Sequence, residues 1–234
     1  MGISKLLRRG REALSLDHDP YWDQVICLIP GTDFIPTNNN FNDAKGKIFS
    51  FNNTTSSSVD PKFGSNSILF NHYANSLVSV YESDYGLAYT DFTVECFIKP
   101  SNIVDRMTIA TNRNGGVNGW LFAINAGLNG RIGFSFIGIS GLNSDSVIVA
   151  DQWQHIAATN HNDYLRLFVN GVMVAGMPTN YSANPAMPLQ IGRTMYDSGN
   201  YYPYSGYMQQ FRITRGIARY ISNFIVPNKP FPLS

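Results

Sequence analysis

Short apolar runs, none longer than a strand, recur along this chain between clusters of Gly, Pro, Asn and Ser. Val25 to Ile29 ends at Pro30-Gly31, and similar runs follow. They are Ser67 to Phe70, Leu77 to Tyr81, Phe92 to Lys99, Met107 to Ala110, Trp120 to Asn125 and Arg131 to Phe136. Ser146 to Val149, His155 to Thr159, Leu165 to Val169, Val172 to Ala175, Leu189 to Gly192 and Gly206 to Thr214 complete the set. Thr37 to Asn40 and Asn52 to Ser58 read as loops. No segment between residues 20 and 210 keeps the spacing a long helix needs. Many short strands broken by turn residues specify an all-β protein, an antiparallel sandwich or jelly roll. Asn170-Gly171 lies between two of the runs, and both residues accept the positive φ of a tight hairpin.

The 234 residues suffice for one sandwich with a core that needs no disulfide staples. Charged residues make up only 14% of the chain, and the net charge is +1. Such a chain has no global field to draw in nucleic acid or an anionic membrane. Its longest apolar runs are too short to span a bilayer. Cys27 and Cys96 each sit in a strand-like run. They read as buried free thiols, or as a disulfide if the two strands are adjacent.

The two ends differ from the body. Residues 1–16 carry Lys5, Arg8, Arg9 and Arg11 against Glu12, with Ile3, Leu6, Leu7 and Leu14 at helical spacing. The expected organisation is an N-terminal amphipathic docking segment over 1–20, a sandwich over 21–214, and an extended tail over 215–234 packed on it. The assembly-docking residues would be Ile3, Leu6, Leu7, Arg8, Arg9 and Arg11. A frayed leader and a membrane-surface helix are the other readings, the last weakly bound at this length. The leader lacks the apolar core of a secretory signal, so synthesis in a cytoplasm is expected. Gly216 to Tyr220 suggests one helical turn, after which Pro227, Pro230 and Pro232 forbid regular pairing.

Five segments, in order, resemble the laminin-G-like, concanavalin-A-like jelly-roll superfamily. They are Phe63-Gly-Ser-Asn-Ser-Ile-Leu-Phe70, Asp91-Phe-Thr-Val-Glu-Cys-Phe-Ile-Lys-Pro100, Trp153-Gln-His-Ile-Ala157 with Leu165-Arg-Leu-Phe-Val-Asn-Gly171, Leu189-Gln-Ile-Gly192, and Gly206-Tyr-Met-Gln-Gln-Phe-Arg-Ile-Thr214. The opening Asp19-Pro-Tyr-Trp-Asp-Gln-Val25 and the closing Gly216-Ile-Ala-Arg-Tyr220, with Phe224 and Pro227, are similar to a variant frequent in tailed-bacteriophage virion proteins. The resemblance spans about residues 19–232 and implies a two-sheet antiparallel jelly roll. On the Trp153 strand, Trp153, His155, Ala157 and Thr159 share one face, and Gln154, Ile156 and Ala158 the other. Trp153 is expected in the core and His155 as a hydrogen-bonded structural histidine.

Some relatives of this fold are glycoside hydrolases, which need two carboxylates flanking the scissile bond. The glutamates here are Glu12, Glu82 and Glu95, and none has the tight Glu-x-Asp-x-x-Glu neighbourhood of the glucanase branch. Glu95 reads as a structural carboxylate. Asn114 to Gly119 lacks the lysine and the strand–loop–helix setting of a phosphate loop. No catalytic residue is expected. No cofactor is expected either, although the resemblance allows calcium: Asp145, Asp163 and Asp197 fall in expected loops but show no ligand spacing and read as ordinary polar turns.

The segment from Met195 to Ser205 mixes Tyr196, Tyr201, Tyr202 and Tyr204 with Ser, Gly and Asn, a composition suited to recognition surfaces. Tyr196, Asp197, Tyr201, Tyr202 and Tyr204 are the candidate ligand residues; the other reading is a loop that covers the sandwich edge. No basic residue lies between Arg193 and Arg212, which disfavours nucleic acid. Two functions compete. One is a non-catalytic accessory virion protein of a tailed bacteriophage, on head or tail, partnered by other virion proteins and located in the virion, with homo-oligomers allowed. The other is a carbohydrate- or receptor-binding module for host-surface glycan. A degenerate hydrolase is a third, weaker reading.

Overall fold

The computed structural model describes residues 18–32, 40–71, 76–79, 85–113, 118–124, 130–136, 141–179, 181, 187–194 and 202–234. The docking residues Ile3, Leu6, Leu7, Arg8, Arg9 and Arg11, and the loop residues Tyr196, Asp197 and Tyr201, lie outside them. A short 3-10 turn, Trp22–Gln24, leads into the first strand.

The described strands are β1 (Val25–Ile29), β2 (Asn40–Asn42), β3 (Ile48–Asn52), β4 (Thr55–Ser57), β5 (Ser67–Asn71), β6 (Ser76–Ser79), β7 (Phe92–Pro100) and β8 (Met107–Thr111). They continue as β9 (Trp120–Ile124), β10 (Arg131–Phe136), β11 (Leu142–Val147), β12 (Gln154–His161), β13 (Tyr164–Val169), β14 (Val172–Pro178), β15 (Gln190–Ile191) and β16 (Ser205–Arg215). One sheet runs β14-β13-β12-β7-β16-β5-β4, with β1 also on β16; the other runs β11-β10-β9-β8-β15-β6-β3-β2. All described pairings are antiparallel. The expected jelly-roll sandwich is therefore present.

Period-two alternation places the core. On β7, Phe92, Val94, Cys96 and Ile98 enter the space between the sheets, where they meet Trp120, Phe122 and Phe134 from the second sheet. Trp120 stacks on Phe134 at 5.6 Å, and Phe92 stacks on Phe134 at 5.3 Å. The Trp120 indole N–H donates to the Tyr85 carbonyl at 2.7 Å, so the large ring is buried without an orphaned donor. Between β13 and β14, Asn170 (φ 48°) and Gly171 (φ 78°) form the expected tight turn.

The edge of β16 is shared by two strands. β5 pairs with its residues 205–208 and β1 with residues 211–214. A bulge between Gln209 and Arg212, with Gln210 at φ 55°, separates the two stretches. The glutamine side chains at the bulge bond the backbone of neighbouring segments. Gln209 accepts from the Phe63 N–H and donates to the Phe63 and Asn66 carbonyls, while Gln210 accepts from the Phe231 N–H and donates to the Pro30 carbonyl.

Cys27 on β1 and Cys96 on β7 are both buried and free. β16 lies between their strands. Two strand spacings, about 9–10 Å, exceed the reach of a disulfide.

The outer face of the first sheet is buried as well. Ile156 and Ala158 face the inter-sheet core, and the opposite face, with His155, Ala157 and Thr159, is covered by the tail. Tyr220 and Phe224 stack with ring centroids 3.5 Å apart, and Phe224 meets His155 and Phe168 edge-on. Thr159 Oγ1 donates to the Tyr220 carbonyl at 2.8 Å, and Phe231 is buried beside Phe97. Trp153 is therefore not in the inter-sheet core. It is half-buried on the outer side, with its indole N–H donating to the Asp60 carbonyl at 2.8 Å. Gly216 to Tyr220 forms no helical turn. Gly216 takes φ 87°, and the Arg219 N–H donates to Thr93 Oγ1 rather than to its own chain segment.

Candidate functional site

Between the tail and the first sheet lies a cluster of buried charges. Glu95 points outward from the middle of β7, opposite Arg212 on one neighbouring strand and the small Ala157 on the other. Arg212 donates through Nε and Nη2 to Glu95 Oε1, at 2.9 and 2.7 Å. Glu95 Oε2 lies 3.0 Å from His155 Nε2 and accepts the Tyr220 hydroxyl at 2.9 Å. Arg212 Nη1 reaches Asp19 Oδ2 at 2.9 Å. Arg219 grips Asp19 with both terminal nitrogens, at 3.0 and 2.7 Å. The Phe231 ring caps the Arg212 guanidinium at 3.7 Å.

Two carboxylates and two guanidiniums balance one another. Burial pushes the Glu95 carboxyl up, but the Arg212 charge, the His155 hydrogen bond and Arg219 together hold it well below the usual carboxylate range. Asp19 is likewise lowered against its burial, chiefly by the Arg219 hydrogen bond. Burial and the neighbouring Glu95 charge push the Tyr220 hydroxyl well up. A general acid or base needs a pKa near the working pH and reach to a substrate. Glu95 has neither, because it stays ionised beneath the tail with no exposed surface. It is a structural carboxylate that fastens the tail. Asp19 and Arg219 belong to the two segments at the ends of the body, and the Asp19 N–H also donates to the Ser234 carbonyl at 2.7 Å. Sequence reading isolated both segments but not their pairing, because nothing local links residues 200 positions apart.

At the Pro100 end of β7 lies the described part of the tyrosine-rich loop. Tyr202 is half-buried with φ 38°. Its carbonyl accepts the Thr108 N–H at 2.8 Å, and the Arg106 guanidinium lies over its ring at 4.1 Å. Ser101 and Ser205 hydroxyls meet alongside at 2.6 Å. The loop has no basic residue of its own, yet the fold brings Arg106 to it from the β7–β8 connection. Tyr204 must be corrected: it is fully buried, edge-on to Phe70, with its hydroxyl donating to the Tyr207 carbonyl at 3.0 Å. It belongs to the core, not to a ligand surface. Tyr202 and Arg106 together offer a partly exposed ring and a cation.

Of the three candidate calcium carboxylates, Asp145 is exposed on β11 rather than in a loop, and Asp163 accepts the Tyr181 hydroxyl at 2.8 Å. Among the described residues no group of three or more His, Cys, Asp or Glu could hold a metal ion. Among them, too, no helix is long and apolar enough to cross a membrane.

Two antiparallel sheets in this order, filled by alternating apolar residues, define a lectin-type jelly roll. A family model described as the concanavalin A-like lectin/glucanases superfamily matches residues 73–217, more than half of the chain. The chain belongs to that family. A search of curated proteins found no match. Among solved structures, domain 4 of AbnA, an extracellular arabinanase of Geobacillus stearothermophilus solved with arabinotriose, is similar with a TM-score of 0.61 and 16% identity. That match covers 82% of this chain and 93% of the domain. The binding domain of botulinum neurotoxin serotype D has a TM-score of 0.58 at 15% identity, covering 89% of this chain and 49% of that one. Botulinum neurotoxin type C, whose cell entry depends on two ganglioside molecules, has a TM-score of 0.58 at 12% identity, covering 83% of this chain and 48% of that one. The chain thus spans about half the length of the toxin chains it matches.

Proposed function

We propose that this chain is a non-catalytic recognition module that binds glycan and is displayed on the virion of a tailed bacteriophage. The observation that carries the glycan reading is the match to nearly the whole of an arabinotriose-bound domain. The ganglioside-dependent toxin supports the same reading. Tyr202 with Arg106 is the proposed contact surface, joined by Tyr196, Asp197 and Tyr201 from the same loop. The burial and pairing of Glu95 favour binding over hydrolysis. A glycan array tests it: the intact protein should bind, and Tyr202→Ala should bind more weakly. An intact protein that binds no glycan refutes it, and turnover of any polysaccharide refutes the non-catalytic assignment.

The virion reading rests on the two phage-like segments, which contain the mutually bonded Asp19 and Arg219. Here the basic leader docks the module onto other virion proteins. Deleting residues 1–17 retains Asp19 and its ion pairs, so the domain should fold yet fail to join particles. Full incorporation of that truncated protein would sink the docking role.

A further inference from the structure

Tyr89 is the most exposed aromatic residue described, with 72% of its surface accessible. It also holds φ 61°, in the left-handed region that a bulky side chain rarely enters. The backbone before it is pinned by the buried Tyr85, Leu87 and Ala88, and the buried Phe92 opens β7 just after it. Glycine would sit there without strain, yet a tyrosine is held there and turned to solvent.

The Tyr89 ring does not stand alone. Its centroid lies 5.0 Å from that of Tyr181, with the planes inclined at 51°, so the two rings form an open V. Tyr181 is anchored from below by Phe136, edge-on at 5.4 Å. Its hydroxyl donates to Asp163 Oδ1 at 2.8 Å and accepts from Asn160 Nδ2 at 2.6 Å. Asn160 is fixed in turn by Thr179 Oγ1 and the Thr90 carbonyl. Beside it, Asp91 bonds His161 Nδ1 at 2.7 Å and accepts the Asn162 N–H at 3.0 Å. Asn162 and Asp163 are exposed at the rim, and both take positive φ. Among the described residues nothing donates to Asp163 Oδ2.

The geometry points to a neutral-saccharide subsite in which a sugar ring stacks on Tyr89 and its hydroxyls bond Asp163 and Asn162. The proposal rests on the glycan reading above and deepens it. A sugar ring has an apolar C–H face and a rim of hydroxyls. An exposed aromatic beside a few fixed polar groups complements both. The polar groups are already oriented by one another, so little ordering remains to oppose binding. Charge selects the class. Asp91 and Asp163 face this end, His161 is engaged with Asp91, and the Arg166 guanidinium is stacked over Tyr164. An acidic sugar would meet carboxylates here. The subsite lies at the Phe92 end of β7 and Tyr202 at its Pro100 end, roughly 25–30 Å away along the strand.

The test is calorimetric titration with neutral pentose and hexose trisaccharides and with sialyllactose. Wild type should bind a neutral trisaccharide and discriminate against sialyllactose. Tyr89→Gly relieves the backbone, so it should fold at least as well, yet lose about tenfold or more in affinity, as removal of an aromatic anchor does. Tyr89→Phe should retain binding, and Asp163→Asn should weaken it. Equal neutral-sugar affinity in Tyr89→Gly overturns the subsite while leaving glycan recognition standing. Preference for sialyllactose also overturns it. No saccharide binding by wild type overturns the subsite and the glycan reading together.

Discussion

Glu95→Gln removes one charge from the buried cluster while keeping side-chain volume. The carboxylate accepts four bonds, from Arg212 Nε and Nη2, the Tyr220 hydroxyl and His155 Nε2. A glutamine amide turned with its oxygen to Arg212 presents an N–H₂ to Tyr220 and His155, where an acceptor is needed. Two guanidiniums would then share the Asp19 carboxylate alone. Breaking a buried pair from one side costs about 3–5 kcal/mol, most of it from the charge left behind. For a domain of this size each kcal/mol lowers Tm by about 2–4 °C, so a loss on the order of 10 °C is expected. Scanning calorimetry and urea unfolding measure it. The companion variant Glu95→Met with Arg212→Met removes the pair from both sides and should cost less than the sum of its single changes. A Tm within about 2 °C of wild type for Glu95→Gln, or strict additivity in the cycle, would refute the claim that the cluster fastens the tail.

Acid should act through the same groups. The folded pKa values of Glu95 and Asp19 lie below their unfolded ones, so their contribution is complete above the unfolded values and lost as pH falls. Asp43, raised by burial, acts in the opposite sense and offsets part of this. The urea midpoint should therefore hold from neutrality to about pH 5 and drop below about pH 4, with a shallower drop in Glu95→Gln; equal slopes in both proteins count against the cluster. Gly171→Ala should destabilise more than Gly46→Ala. Both glycines have positive φ, but a Cβ on Gly171 runs into the Phe224 carbonyl oxygen, whereas Gly46 has open space. Thermal melts of the two variants decide this, and equal losses would mean that the tail does not press on the hairpin.

The fold was legible wherever apolar residues alternate over a full strand. β7, the β12–β13 pair and the Asn170-Gly171 turn all fall where such patterns place them. β2 and β4 were missed because Asn40–Asn42 and Thr55–Ser57 are short and rich in Asn, Ser and Thr, and β3 because the apolar run in Ile48–Asn52 is short and interrupted by Ser50. Those residues read as turns, and pairing with neighbouring strands overrides the preference. Burial misled the reading at Trp153 and Tyr204. Alternation shows which residues share a face, but not that a tail covers the outer face, nor that one tyrosine of a polar loop turns into the core. The role of Glu95 was legible from its strand. Its partners were not, since Arg212 stands 117 positions away and their meeting depends on sheet order. Arg106 reached Tyr202, and Tyr181 reached Tyr89, for the same reason.

The pairing of Asp19 with Arg212 and Arg219 also bears on how the chain is made. The contacts close loops of 193 and 200 residues. Contacts of such sequence separation form late in folding. During synthesis Glu95 and Asp19 emerge long before the arginines that neutralise them. A chain cut short of Arg212 carries an uncompensated carboxylate at the centre of its sheet and an uncovered apolar face around His155 and Phe168. Residues 212–224 thus supply, late in synthesis, both the positive charge that neutralises Glu95 and Asp19 and the cover over His155 and Phe168.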